Sequence, residues 1–180
     1  MKKLFAIVFV FFSLFMQSQA FICKDGLCKF TSEAPLELIK AQSSKSNGVI
    51  DVATKNFAFS VDIDSFDGFN SALQKEHFRE DYMETEKFPK AVFKGKIIED
   101  VDFTKNGVVN VRAKGNFSVH GVEKEKLVKV KITIKDKTIR VETSFEVPLD
   151  DHNIKIPKVV NQKIASVIKV DVDALLKPKA

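Results

Sequence analysis

The sequence lacks the short motifs that carry the commonest hydrolytic and zinc chemistry. It contains no G-x-S-x-G element, which would place a serine nucleophile on a strand-to-helix turn. It also contains no H-E-x-x-H pair, which would supply two zinc ligands from one helix face. The usual serine hydrolases and zinc proteases are therefore not supported, and we predict no catalytic residue and no metal site.

The sequence also lacks a large excess of charge of either sign. The 29 Lys and Arg residues stand against 24 Asp and Glu residues, and the net charge of +5 falls to +3 without Lys2 and Lys3. The charges are spread in mixed-sign runs such as "EDVDFTKN" and "HGVEKEKLVKVK". Because nucleic-acid binding needs a clustered basic face, we predict no nucleic-acid partner.

Long apolar runs are limited to the N terminus. "MKKLFAIVFVFFSLFMQSQA" places two lysines before an apolar stretch that is shorter than the roughly 20 residues of a membrane-spanning helix. Small residues close this segment at Ser18-Gln19-Ala20, as signal peptidases require. We therefore predict a secretory signal over residues 1–20, with a permanent anchor as the alternative, and a periplasmic or secreted protein.

Proline and glycine form no linker, and the remaining residues 21–180 have the length of one domain. The only two cysteines, Cys23 and Cys28, flank an Asp-Gly pair in "CKDGLC". An Asp-Gly turn would bring the flanking strands face to face, so an exported context favours a disulfide over free thiols. Two thiols without a third ligand make a poor metal site.

Most of this domain alternates apolar and polar residues with a period of two, which is typical of half-buried strands. In "NFAFSVDIDSF" one face carries Phe57, Phe59, Val61 and Ile63. Turn signals separate such segments at short intervals. We predict an all-β antiparallel up-and-down barrel of about eight strands with one or two short helices, and a two-sheet sandwich as the second choice.

One stretch breaks the alternation and concentrates ionisable groups. "LQKEHFREDYMETEKFP" places His77 and Asp81 four residues apart, on one face if the stretch is helical. A hydrolytic or metal-dependent enzyme built on this cluster is one hypothesis. Because zinc sites need three or four ligands, a charged helix covering the barrel is the simpler interpretation. His120 and His152 lie elsewhere in the sequence, and their spacing does not predict a metal site shared with His77.

The predicted inward face is rich in large rings. Phe57, Phe59, Phe93, Phe117 and Phe145 all fall on it. An eight-stranded barrel is wide enough either to be filled by side chains or to hold one slender apolar ligand. The rings alone do not decide between a packed barrel acting as an interaction or stress-response module and a lipid-binding barrel.

The order of several motifs resembles the YceI family of exported bacterial proteins. The resemblance rests on His77-Phe78-Arg79, on Phe88-Pro89 followed by Phe93, and on "GNFSVHGV" at residues 115–122, and it extends from about Phe30 to Leu175. It implies a lipocalin-like barrel that encloses a polyisoprenoid or another long-chain lipid, and a binding protein with no cofactor. Family members often carry Arg-Asp where this chain has Gln74 and Lys75.

The resemblance and the inward face together give the candidate site. The predicted apolar lining is Phe57, Phe59, Phe93, Val111, Phe117, Ile132, Val141 and Phe145. The predicted mouth, where cations would meet an anionic head group, is Lys75, His77, Arg79 and Tyr82. Transient membrane contact and a monomer or homodimer are further expectations.

Overall fold

The structure is a computed structural model and describes residues 20–179. Of the predicted signal, residues 1–19 lie outside the described residues, and Ala20 is the first residue of a strand. Eight strands make up the fold: β1 (Ala20–Glu33), β2 (Leu38–Asp51), β3 (Asn56–Asp62), β4 (Lys90–Ile97), β5 (Gly107–Val119), β6 (Val122–Lys135), β7 (Thr138–Pro148) and β8 (Val167–Pro178).

Each strand pairs antiparallel with its sequence neighbour, and β8 pairs with β1, so the sheet closes. The predicted up-and-down barrel is confirmed, and the alternative sandwich is wrong. The period-two pattern sets the faces: along β6, Val128, Val130 and Ile132 are buried while the intervening lysines are exposed. Closure leaves no unpaired outer strand on the sheet.

The β6–β7 connection shows how a local sequence sets strand register. Asp136 and Lys137 both have positive φ, at 50° and 61°. Two left-handed central residues match the right-handed twist of the flanking strands in a two-residue hairpin. Lys135 therefore pairs with Thr138, and the inward face continues from Ile134 to Ile139 without a slip.

The two ends of the barrel differ. The floor is tightly packed, with Ile139 and Leu176 fully buried beside Ile50 and Phe21. The opposite end, which we call the mouth, is covered by the lid (residues 63–89) and by the late loop (residues 149–166). The lid contains the helix α1 (Ala72–His77) and one turn of π-helix (Phe78–Tyr82). Ser71 caps α1, because its hydroxyl accepts a hydrogen bond from the backbone of Gln74.

The predicted disulfide is wrong. "CKDGLC" is not a hairpin turn but part of β1, which continues through it with two register irregularities around Gly26. Cys23 belongs to the floor cluster, the buried apolar side chains that include Phe21, Ile139 and Leu176. Cys28 belongs to the mouth cluster, which includes Val61, Phe66 and Ile154, and both thiols are free and buried. Five residues of strand span roughly 16 Å, well beyond the Cα separation that a disulfide bridges.

No helix between residues 20 and 179 has the length and apolar character needed to cross a membrane.

Candidate functional site

The barrel encloses a cavity of about 480 Å³ that runs from beneath the lid toward the floor. Seven of the eight residues predicted for the lining face it: Phe57, Phe59, Phe93, Phe117, Ile132, Val141 and Phe145. Val111 is the exception. It points inward and is buried, but packs into the floor cluster and does not line the cavity. Period two identifies the inward face, whereas it does not tell which inward residues are covered by others.

The middle of the cavity is surrounded by phenylalanine rings from four strands. The ring of Phe93 lies 5.0 Å from that of Phe57 and 6.3 Å from that of Phe117, and Phe117 lies 5.7 Å from Phe145. Gly48 makes room for this layer, because a Cβ at that position would come within 2.2 Å of the Phe59 ring. The rings touch edge to face or tilted, which aromatic pairs prefer.

A second aromatic group lies higher, under the lid, and is not among the predicted lining residues. Phe30 of β1 stacks on Phe78 of the lid at 5.3 Å, and Phe69 lies 5.0 Å from Phe78. Phe66 completes this group, 5.4 Å from Phe30. Phe30 has the same parity as the buried Cys28, so alternation carried through β1 identifies it. The lid rings follow no strand pattern, and only the tertiary fold brings them here.

The late loop forms the remaining part of the upper wall. Ile154, Val160 and Ile164 line the cavity beside the lid. Their segment is irregular, so neither a helical nor a strand period identifies them. Backbone bonds hold the loop in place, including one from the Leu36 amide to the Gln162 carbonyl at 2.9 Å.

Two of the four predicted mouth residues face away from the cavity. Lys75 pairs with Asp67 at 3.3 Å, and Arg79 pairs with Asp64. The pKa of Asp67 is lowered by the Gly68 amide and then by Lys75. Both cations therefore pair with acidic residues earlier in the lid. The prediction that they line the mouth is wrong because their acidic partners, which sequence spacing did not reveal, lie on the outer side.

His77 and Tyr82 do line the cavity. Tyr82 is half-buried, and burial raises the pKa of its phenol. Further polar groups at the mouth are Ser71, Gln74, Glu37 and Lys163. The Gln74 side chain donates to the Glu37 carboxylate at 2.8 Å, which links the lid to the β1–β2 connection.

Lys163 differs from Lys75 in having no acidic partner. It lies in the late loop at the edge of the cavity and forms no ion pair with any residue between 20 and 179. It is the lysine that lines the cavity, and it is not among the residues predicted for the mouth.

The imidazole rings of the three histidines do not converge on one site. His120 closes β5, where its two ring nitrogens face the His152 carbonyl at 3.0 Å and the Glu84 carboxylate at 3.1 Å. His152 is buried against Phe117, donates to the Val122 carbonyl, and has its pKa lowered by burial. These bonds join the lid, the β5–β6 turn and the late loop. Within residues 20–179, no three His, Cys, Asp or Glu side chains form a possible metal site.

The cavity wall has a seam between β6 and β7, where the two strands do not pair along their whole length. Ladder pairing stops at Val130 and Thr143, although both strands continue toward the mouth. Lys126 bridges the gap, donating to the Glu146 carbonyl at 2.6 Å with its ammonium 5.6 Å from the centre of the Phe145 ring. Burial lowers the pKa of this lysine. The seam is thus closed by a side chain rather than by backbone bonds.

Comparison with known families adds an independent observation. The model of the YceI-like domain matches residues 29–176, most of the chain. The chain belongs to the YceI-like family. The resemblance drawn from the motif order is therefore confirmed. A search of curated proteins finds no match.

Solved structures share the fold of this YceI-like protein at low sequence identity. A polyisoprenoid binding domain from Saccharophagus degradans, implicated in plant cell wall breakdown, has a TM-score of 0.75 and 14% identity, with 90% of this chain and 99% of that chain covered. BcnA from Burkholderia cenocepacia has a TM-score of 0.69 and 13% identity, covering 83% and 95%. The Campylobacter jejuni YCEI protein has a TM-score of 0.60 and 15% identity, covering 78% and 84%. At these identities the similarity establishes the fold alone.

Proposed function

We propose that this protein binds one polyisoprenoid lipid, with its chain inside the barrel and its polar end at the mouth. The observation that carries the proposal is the cavity itself, which is lined mainly by aromatic and aliphatic side chains. Its charged and imidazole groups, Glu37, His77 and Lys163, lie at the mouth, and the polar groups deeper in the barrel are the hydroxyls of Ser46, Ser60 and Thr143. That division matches an amphipathic ligand with a long apolar part and one polar end. Membership of the YceI-like family and the polyisoprenoid-binding neighbour support this choice of lipid.

The physical basis of affinity is the removal of the lipid chain from water. Burial of apolar surface contributes roughly 25 cal/mol per Å². The phenylalanine rings of the cavity wall already contact one another. Because these side chains are held in place before binding, they need to move little to accommodate a flexible prenyl chain. Preformed walls reduce the entropy lost on binding.

The polar end of the ligand is proposed to be anionic. Lys163 supplies an unpaired cation at the cavity edge, and His77 lies at the same opening. A charged hydrogen bond to a phosphate is about twice as strong as a neutral one. The role predicted for Lys75 and Arg79 thus passes to Lys163.

The wider role we propose is carriage or storage of this lipid outside the cytoplasm, or protection against stress. It rests on the predicted signal at residues 1–20 and on the apolar barrel cavity, which would shield a lipid chain from water. The cavity argues against a completely packed barrel. The enzyme alternative at His77 and Asp81 stays a prediction without an observation that favours it over binding.

The proposal is tested by titrating a polyprenyl phosphate and the matching polyprenol into the protein and three variants. Ala113 lines the cavity and is buried, so Ala113→Phe should fill the deep end and weaken both ligands at least about ten-fold. Lys163→Ala should weaken the phosphate only, because the alcohol carries no charge. Lys75→Ala is the matched control and should change neither affinity.

Binding inside the barrel would be contradicted if the wild-type protein bound neither ligand. It would also be contradicted if a folded Ala113→Phe variant kept the wild-type affinity. Because a ring in the deep end can destabilise the fold, each variant is first checked by its unfolding midpoint. Ala91→Leu, nearer the mouth, is the second blocking variant should Ala113→Phe not fold.

A further inference from the structure

Exposed apolar side chains are concentrated around the mouth. Among residues 20–179, nine large aliphatic side chains are exposed, and five of them lie at this end of the barrel. Val159 is 88% exposed and Leu36 is 67% exposed. We call the five side chains the rim: Leu36, Leu38, Leu73, Val159 and Val167.

The rim residues lie in four segments: the β1–β2 connection with the adjoining start of β2, the lid helix α1, the late loop, and the start of β8. Hydrogen bonds connect the first of these to the late loop and to the lid. Leu36 belongs to the β1–β2 connection, and its backbone amide donates to the Gln162 carbonyl of the late loop at 2.9 Å. Asn70, just before α1, donates to the Leu38 carbonyl at 3.2 Å. The rim therefore lies at the mouth end of the barrel, and Leu73 of α1 is its member that also lines the cavity.

The late-loop side of the rim is positively charged. After Asp150 and Asp151 at the start of the late loop, residues 153–165 contain Lys155, Lys158 and Lys163 and no acidic residue. None of the three is in an ion pair with a described residue. The lid on the other side is mixed, with Glu76 and Glu80 among its exposed groups. The cationic face is thus confined to the segment that carries Val159, the most exposed apolar residue of the rim.

The composition of the rim fits a lipid surface better than a protein partner. Protein interfaces are enriched in aromatic residues, Met and Arg and depleted in Lys, whereas the rim consists of Leu and Val beside lysines. Shallow insertion of aliphatic side chains, combined with attraction of lysines to anionic head groups, is the usual mode of peripheral membrane binding.

We propose that the rim docks on the surface of a bilayer containing anionic lipids, with the late loop against the head groups and the mouth facing the membrane. The biological reason rests on the proposed function, because a docked mouth lets a lipid pass into the cavity without crossing water. The contact itself needs no cavity ligand and can be measured separately.

The test is flotation of the purified protein, its N terminus verified by mass, with phosphatidylcholine vesicles prepared with and without phosphatidylglycerol and free of isoprenoid. We expect binding to the phosphatidylglycerol vesicles that weakens as salt is raised, because salt screens exposed charges. Val159→Asp should reduce binding at least about ten-fold, since it places a carboxylate where an apolar group inserts. Lys158→Gln combined with Lys163→Gln should remove the preference for anionic vesicles.

Val108→Asp is the matched control. Val108 lies at the floor end of β5 and is 59% exposed, so the same change is made on another exposed valine, away from the rim. No vesicle binding by the wild type, equal loss in the Val108 and Val159 variants, or a Val159-dependent soluble protein partner in place of vesicles would overturn the proposal. Vesicle binding without polyprenyl phosphate affinity would instead overturn the proposed function alone.

Discussion

At the scale of single residues, the direction of a side chain depends on its partners as much as on its position. Period two places Phe57, Phe59 and Phe93 on the cavity face, and the structure agrees. It cannot reveal that Lys75 and Arg79 are held outside by acidic residues earlier in the lid. Lys163 was not predicted at all, because an exposed lysine in an irregular loop carries no sequence signal.

The cysteines give a residue-scale prediction. Unfolding the purified protein in guanidinium without reductant should expose two titratable thiols per chain, because Cys23 and Cys28 are free. In the folded protein at pH 8, Cys28 should react slowly with iodoacetamide, since burial raises the pKa of its thiol to about 12 and leaves little thiolate. The Cys28→Ser variant, which should expose one thiol, is the control. A chain with no titratable thiol after unfolding would show that the two cysteines are bonded.

At the scale of elements, strands were predictable and their irregularities were not. The alternation in β3, β6 and β7 is strong enough to indicate each strand and its buried face. "CKDGLC" has the composition of a turn, but pairing with both β2 and β8 keeps it in an irregular strand. Tertiary pairing overrides local turn propensity here, since two neighbouring strands provide partners that a hairpin would lose.

The pairing of β4 with β5 gives a prediction at this scale. Gly95 and Gly115 face each other, and a Cβ on Gly115 would lie 2.2 Å from the Lys94 carbonyl oxygen. Gly115→Ala should therefore push the strands apart and lower the free energy of unfolding by about 1 to 3 kcal/mol, measured by urea denaturation. Gly107→Ala, where no atom lies within 4 Å of the added Cβ, should be close to neutral. Equal effects of the two changes would contradict the close approach of β4 and β5.

At the scale of the whole molecule, the barrel separates two functions by its ends. The floor is closed by fully buried aliphatic residues such as Ile139 and Leu176 and supplies stability. The mouth is covered by short helical turns and a long loop, which make fewer regular backbone bonds than the strands. Segments of that kind open at lower free energy than packed strands. The general shape follows from alternation and closure, whereas the composition of the mouth depends on segments distant in sequence.

The central claim is that the barrel interior holds a polyisoprenoid. The most direct measurement is mass spectrometry of lipid extracted from the protein purified from cells, beside the same extract of the Ala113→Phe variant. We expect about one isoprenoid lipid per folded chain in the wild type, as one cavity of this kind implies. We expect a large reduction in the variant, because its added ring occupies the deep end. A wild-type extract without isoprenoid, or an equal amount of it in the folded variant, would contradict the account.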